Sequence, residues 1–505
     1  MQPGGRHTVT TRHVPVWLLG LVVVVGASVV GSELVAVVDA APAPRVLSPS
    51  TPPDDDASFD GVWTFRGNRS RSFMGEGPVP SDPVVRWRVP AGGAPLCSMS
   101  AAGRDPDDLK EWCGTGWTGQ PNVVPTDRGL EVREGAYDGA YHFVDVGSGA
   151  ALLPPLQTGD LAKGSATTDP DGFPLYYAGS RDNRFRIVAT DRAEPTVLWE
   201  LDAISSVPEV LWNDDWDGAA LVVDDHLLIG GENGWFYVVR LHRGYDTRGQ
   251  VTVDPEILAT VRGWDPEVLD AVGDEDNSIE SSVAYRDGVA YLANSAGLVQ
   301  GWDVSGVMAG DGEPERVFRY WTGDDTDATV VIDDDGMLYV ASEFQRFLDR
   351  SREVGQLLKL DPRRPDDPLV WSVAASEVGF DGAGGSWSTP ALDGERVYFA
   401  TAAGRVLAVD RETGDVAWQL QIGSPSIASP VVVDRTLILG DCTGRLSAWD
   451  LGAADPGDPP PLRWTVDLGD CIESTPAVWH GWLFLGTREG YVYGLADRDT
   501  PAPAP

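Results

Sequence analysis

The chain has 505 residues, 42% of them hydrophobic and 19 of them tryptophan, which is enough to bury a large core and excludes global disorder. It carries 38 basic residues against 77 acidic ones, a formal net charge of −39. A body this acidic repels phosphate backbones and anionic lipid surfaces, so nucleic acid is excluded as a partner and any membrane contact falls to the N-terminus.

Residues 1–40 contain that contact. Between Arg12 and Glu33 the chain has no fixed charge and includes the run VPVWLLGLVVVVGASVVG. Its length lies between a signal-peptide core of about 7–15 apolar residues and a membrane span of about 20. The segment is expected to form an N-terminal hydrophobic helix that stays as an anchor, with cleavage after Ala40 as the alternative. Both place the rest of the chain outside the cytoplasm. Residues 41–60, APAPRVLSPSTPPDDDASFD, are expected to be an extended, disordered linker, and residues 498–505 a disordered tail. Four cysteines are present, Cys97, Cys113, Cys442 and Cys471, with no CxxC pair to suggest zinc or thiol exchange. In an exported chain the simplest arrangement pairs Cys97 with Cys113 and Cys442 with Cys471.

The body, residues 61–497, is repetitive. Residues 385–420 read GSWSTPALDGERVYFATAAGRVLAVDRETGDVAWQL: short alternating apolar runs separated by glycine-bearing turns, which predicts antiparallel strands. Related units begin near Trp117, Lys163, Trp216, Ile279, Thr326, Ser426 and Ile472, giving eight units at a period of roughly 51 residues. A four-stranded sheet cannot cover its own two faces, and stacking such sheets around an axis does. The expected fold is therefore all-β, an eight-bladed propeller of four-stranded antiparallel blades. A tryptophan-bearing strand precedes most units, at Trp199, Trp321, Trp371, Trp418 and Trp464. The earliest, VVRWRV around Trp87, has no blade before it and is expected to pair with the last blade and seal the ring. A closed ring needs no second subunit, so a monomer suffices.

Alignment of the units places Thr118, Lys163, Asp217, Glu280, Asp327, Trp387, Ile427 and Glu473 in one column just before each innermost strand. Their side chains are expected to converge on one mouth of the central channel. Lys163, Asp217, Glu280, Asp327, Trp387 and Glu473 are the candidate ligand-binding residues. Asp217, Glu280 and Asp327 lie on successive blades and are the candidate oxygen donors for a hard cation such as Ca²⁺. The acidic runs at 213–218, 273–278 and 323–327 share that face, and Arg181 and Arg184 are placed to clamp an acid. The run at 333–336 is expected to be a hairpin turn and residues 243–255 an insertion between strands. The other reading of the acidic column is a hydrated channel lining paired with Lys163 or nearby arginines.

The run GRVLAVDRETGDVAWQL, with its Ala-Val-Asp, Thr-Gly and Trp positions, resembles the pyrroloquinoline-quinone (PQQ) repeat. Proteins with that repeat include eight-bladed quinoprotein alcohol dehydrogenases and non-enzymatic propellers such as the scaffold lipoprotein of the outer-membrane barrel-assembly machinery. The dehydrogenases imply a calcium or lanthanide ion under PQQ, an aspartate base and, in many, a disulfide between adjacent cysteines. This chain has no adjacent cysteines, and no acidic–amide–acidic ligand set aligns with theirs. It also lacks a Gly-x-Ser-x-Gly elbow, and His142, His226, His242 and His480 have no evident serine and acid partners. The expected function is an exported, membrane-tethered binding or scaffolding module that holds a protein partner, a cation or a small polar ligand. A PQQ- and calcium-dependent dehydrogenase is the alternative.

Overall fold

The computed structural model describes residues 60–103, 106–117, 119–379, 382–455 and 457–503. The expected N-terminal helix, most of the linker and Thr118 lie outside these residues. Among the described residues no helix is long and apolar enough to cross a membrane.

Seven four-stranded antiparallel sheets, and an eighth to which Gly75–Glu76 adds a short parallel fifth strand, make up the described body. We number the blades 1 to 8 by their inner strands, Asn122–Thr126, Thr167–Thr168, Leu221–Val223, Ala284–Arg286, Val331–Ile332, Ala391–Asp393, Val431–Val433 and Ala477–Trp479. Position in the blade dictates sequence. Inner and second strands are covered on both faces and read as apolar runs, such as Leu221–Val223 and His226–Gly230, with every residue buried. Outer strands show one face to water and alternate, as in Leu462–Asp467. The expected insertion at 243–255 is a small hairpin, Gly244–Tyr245 with Val251–Thr252, between the third and outer strands of blade 3.

The repeat signature has a packing cause. In blades 6, 7 and 8 the tryptophan of the outer strand lies opposite a small residue of the third strand: Trp418 faces Ala408, Trp464 faces Ala448 and Trp87 faces Gly494. A Cβ on Gly494 would stand 2.2 Å from the Trp87 ring. The indoles then stitch neighbouring blades, Trp371 donating to Arg411 O of blade 6 at 3.1 Å and Trp87 to Val146 O of blade 1 at 2.7 Å. Strand Pro83–Val89 pairs with Tyr491–Asp497 as the outer strand of blade 8, so the sealing role expected of Trp87 is realised and no blade edge stays open there. Past the last strand, Thr500 O accepts from Arg86 and Pro501 O from the Trp482 indole, so the described start of the tail is pinned to blade 8.

The small hydroxyl residues that open each unit form a belt around the axis. The amide of Ala219 donates to Ser282 Oγ, that of Ser282 to Thr329, Thr329 to Thr389, Thr389 to Ser429 and Ser429 to Thr475, each hydroxyl belonging to the next blade. Inside this belt the channel is filled. Residues 62–76 thread it and meet every blade, from the Val62 bridge to Val123 in blade 1 to the parallel pairing of Gly75 with Val478 in blade 8. Two arginines of this plug are fully buried. Arg66 donates to Thr389 O and Pro430 O, and Arg71 to Val283 O, Ala219 O and Phe65 O. They satisfy inward-facing carbonyls that a bare eight-bladed ring leaves over a central hole.

Candidate functional site

The connections that lead into the inner strands, and those from second to third strands, gather at one end of the plugged channel. They enclose a cup of about 650 Å³ with Phe65 of the plug among its lining residues. Carboxylates dominate its wall, Asp217, Asp276, Glu280, Asp325, Asp327, Glu343, Asp470 and Glu473, against the cations Lys110 and Arg488. Of the residues expected at the mouth, Asp217, Glu280, Asp327, Trp387 and Glu473 line this cup, and Lys163 stands behind Asp217.

The rim is built by an element the repeat does not contain. Between the sealing strand and blade 1 the chain makes a hairpin, Cys97–Ala101 with Leu109–Cys113, and the Cys97–Cys113 disulfide joins its directly opposed ends. This hairpin brings Lys110 and Trp112 to the cup. Trp117 then crosses the mouth. Its backbone amide donates to Glu473 Oε2 of blade 8 at 3.4 Å, and its indole donates to Glu280 Oε2 of blade 4. Arg488 pairs with Glu473 at 3.3 Å. The second disulfide, Cys442–Cys471, ties blade 7 to the approach of blade 8 and also faces the cup.

Two groups of three carboxylates occupy equivalent places in the repeat, six and four residues before an inner strand and two residues after a second strand. In blade 3 they are Asp215, Asp217 and Glu232, and in blade 5 Asp325, Asp327 and Glu343. The structure therefore sorts the three expected cation ligands apart: Asp217 joins the blade 3 group, Glu280 meets Trp117, and Asp327 joins the blade 5 group.

The blade 3 group holds an ammonium. Lys163 Nζ lies 2.7 Å from Asp217, 3.2 Å from Asp215 and 3.5 Å from Glu232. Arg181 adds a contact to Asp215 at 3.3 Å, the clamp expected of it, and the Asn213 amide donates to Glu232. Arg184, by contrast, pairs with Glu200 and Asp202 away from the cup. Burial alone would lower the Lys163 pKa, but Asp217, Glu232 and Asp215 together hold it well above the usual lysine value. Burial still pushes Asp215 up to about 7.

The blade 5 group has no lysine. Gln345 donates to Asp325 Oδ2 at 2.6 Å and Ser295 to Asp327 Oδ1 at 3.2 Å. Arg346 reaches Asp325 only at 3.6 Å, because Asp274 and Ser295 O claim its guanidinium at 2.8 and 2.7 Å. Glu343 is 1% exposed, and neither carboxylate oxygen meets a hydrogen-bond donor from outside the three carboxyl groups. Its place is fixed by the backbone: Glu343–Phe344 pairs with Gly384–Gly385, and a Cβ on Gly385 would lie 2.4 Å from Ser342 O. Burial, then mutual repulsion, raises Asp327 and Glu343 well above the carboxylate range and Asp325 to about 7.

Sequence reasoning placed Asp215, Asp276 and Asp325 in acidic runs on this face but did not find Glu232 or Glu343. The signal was available: both stand two residues beyond the second strand, a column as regular as the one before the inner strand. The plug and the Trp117 bridge lack any periodicity and left no such trace.

A family model described as outer membrane protein assembly factor BamB, built on the PQQ repeat, matches residues 302–500. That match covers less than half of the chain and lies within the eight-bladed ring. The chain is an eight-bladed β-propeller whose residues 302–500 match the PQQ repeat. Outer membrane protein assembly factor BamB of Moranella endobia is 30% identical over 104 residues, which are 20% of this chain and 25% of that protein. The chain thus spans about a quarter of this curated relative. Among solved structures, BamB from Moraxella catarrhalis aligns over 75% of this chain and 94% of its own, with a TM-score of 0.50 at 14% identity. The quinohemoprotein alcohol dehydrogenase of Comamonas testosteroni aligns over 86% and 80%, with a TM-score of 0.56 at 12% identity. At these identities the two structures speak to the fold alone. The cofactor of such dehydrogenases is a quinone bearing carboxylates. A wall of carboxylates opposed, among the described residues, by Lys110 and Arg488 repels such an anion, so the cup of this propeller does not fit PQQ.

Proposed function

We propose that this PQQ-repeat propeller is an extracytoplasmic binding or scaffolding module, tethered through residues 13–32, whose acidic cup takes a cation or a small polar ligand. The observation that carries the reading is the cup itself, closed below by residues 62–76 and walled by carboxylates that the lining cations do not neutralise. Converged buried carboxylates of this kind select positive charge. The two disulfides support an oxidising compartment. The resemblance to BamB supports a scaffolding role, since that relative is named as an assembly factor. The dehydrogenase alternative has the fold in its favour and the charge of the cup against it.

The test is a calorimetric screen of the purified full chain against divalent cations, polyamines, amino sugars and PQQ, with dye reduction by alcohols and sugars followed in parallel. The binding reading expects a cationic or polar ligand to bind, Glu473→Gln to weaken it, and the dye to stay oxidised. Alcohol-dependent dye reduction on addition of PQQ and calcium overturns it.

A further inference from the structure

The blade 3 and blade 5 groups are the same three positions of one repeat, and each is flanked by the residue four places before the preceding blade's inner strand. For blade 3 that residue is Lys163 of blade 2, whose ammonium sits among the three carboxylates. For blade 5 it is Glu280 of blade 4, another carboxylate, which pushes Asp327 and Glu343 further toward protonation. The repeat thus builds one cage twice and places an ammonium among all three carboxylates of the first alone, while in the second Arg346 reaches only Asp325, at 3.6 Å. Arg346 lies at the outer edge of the second, and its short bonds go to Asp274 and Ser295 O.

We propose that Asp325, Asp327 and Glu343 bind a hard divalent cation of the calcium class. The assignment deepens the binding reading above and rests on it. Two observations carry it independently of the carboxylate count. Glu343 is buried to 1% exposure, lines the cup, and has both oxygens without a donor from outside the three carboxyl groups. Asp325 Oδ1 is likewise buried and without a donor from outside the group. One ligand oxygen from each residue lies within 4.8 Å of the others. Oxygens bound to a shared calcium ion at about 2.3–2.6 Å are separated by no more than roughly 5 Å, so one ion reaches all three. All donors are oxygen, which disfavours zinc and copper. A monovalent cation would leave most of the charge of three carboxylates and Glu280 in place, whereas a divalent one removes twice as much. The cup opens onto the group, so water can complete the six to eight oxygens that calcium takes.

The experiment uses the full chain stripped with EDTA and titrated with CaCl₂ by isothermal calorimetry, with thermal melting alongside. The expected result is one calcium ion per chain and a raised melting temperature. Glu343→Gln should weaken binding at least about tenfold, and Asp327→Asn serves if that variant does not fold. Glu232→Gln, the equivalent position in the lysine-filled cage, should leave calcium affinity unchanged. Absence of calcium binding overturns the site, and so does equal weakening by Glu232→Gln. Stabilisation by n-butylammonium with none by calcium overturns it in favour of an organic cation. Any of these outcomes leaves the dye-reduction test of the binding reading untouched.

Discussion

Blade 3 and blade 5 place an Asp, an Asp and a Glu at identical repeat positions, yet only the first group holds an ammonium in contact with all three carboxylates. The difference comes from one residue of the preceding blade, Lys163 in one case and Glu280 in the other. In a closed ring each blade completes its neighbour's site, so chemistry changes by substitution at a single column while the strands, the hydroxyl belt and the tryptophan packing stay the same. The comparison separates what the repeat fixes, a buried acidic cage, from what one side chain decides, the identity of its counter-ion.

The strongest way to break this comparison is to empty the first cage. Lys163→Met keeps the side-chain volume and removes the ammonium from Asp215, Asp217 and Glu232. Breaking a buried ion cluster by removing one partner costs roughly 3–5 kcal/mol. Chemical denaturation in EDTA should show a loss of that size, and calcium should restore part of it. The number of calcium ions bound per chain should rise from one to two, because each cage then has only an arginine at its edge, Arg181 beside Asp215 and Arg346 beside Asp325.

The reciprocal change fills the second cage. Glu280→Lys places an amine where Lys163 stands relative to blade 3. In EDTA this variant should be more stable than the parent by about 2 kcal/mol, since a paired buried charge replaces a repelling one. Its calcium response should vanish. A variant that folds and retains the parent's calcium affinity would show that the two cages are not equivalent.

A third effect, below that of Lys163→Met, comes from pH and concerns blade 3. Burial raises Asp215 from near 3.8 to about 7 in the folded chain. A carboxyl raised on folding binds its proton more tightly when native. Its contribution is complete below the unfolded value near 3.8 and disappears as pH rises through about 7. Between pH 5 and 8 the parent should therefore lose stability, by roughly 2–3 kcal/mol from this group, the pull of Lys163 and Arg181 being already contained in the value of about 7. Asp215→Asn should flatten that slope in melting curves recorded in EDTA.

Much of this was legible in the residues because the repeat imposes strict periodicity. The outer-strand tryptophans and the Ser/Thr column recur in most blades, so the blade count and the closure by Trp87 follow from spacing. The convergence of Asp217, Glu280, Asp327 and Glu473 follows from the same register. Pairing within the cup does not. Whether Asp217 meets a metal or Lys163 depends on side-chain reach between neighbouring blades, which a column alignment leaves open. The plug is less legible still, because Arg66 and Arg71 bond to carbonyls of blades more than 140 residues away, and a carbonyl has no sequence signature.

Trp117 offers the finest probe of the contrast. Its indole donates to Glu280, the residue that distinguishes the two cages, while its ring lies 5.5 Å from Lys163 Nζ. The side chain thus contacts the cation of one cage and the extra carboxylate of the other. Trp117→Phe removes the N–H but keeps an aromatic face for Lys163. A single hydrogen bond, here to a carboxyl that burial raises well above the usual range, contributes about 1 kcal/mol once its exchange with water is counted. Melting in EDTA should fall by that amount. With calcium bound at blade 5 the loss should shrink, because a divalent ion beside Glu280 replaces the donor electrostatically. An equal loss with and without calcium would mean that Glu280 is too far from the blade 5 group to sense its charge.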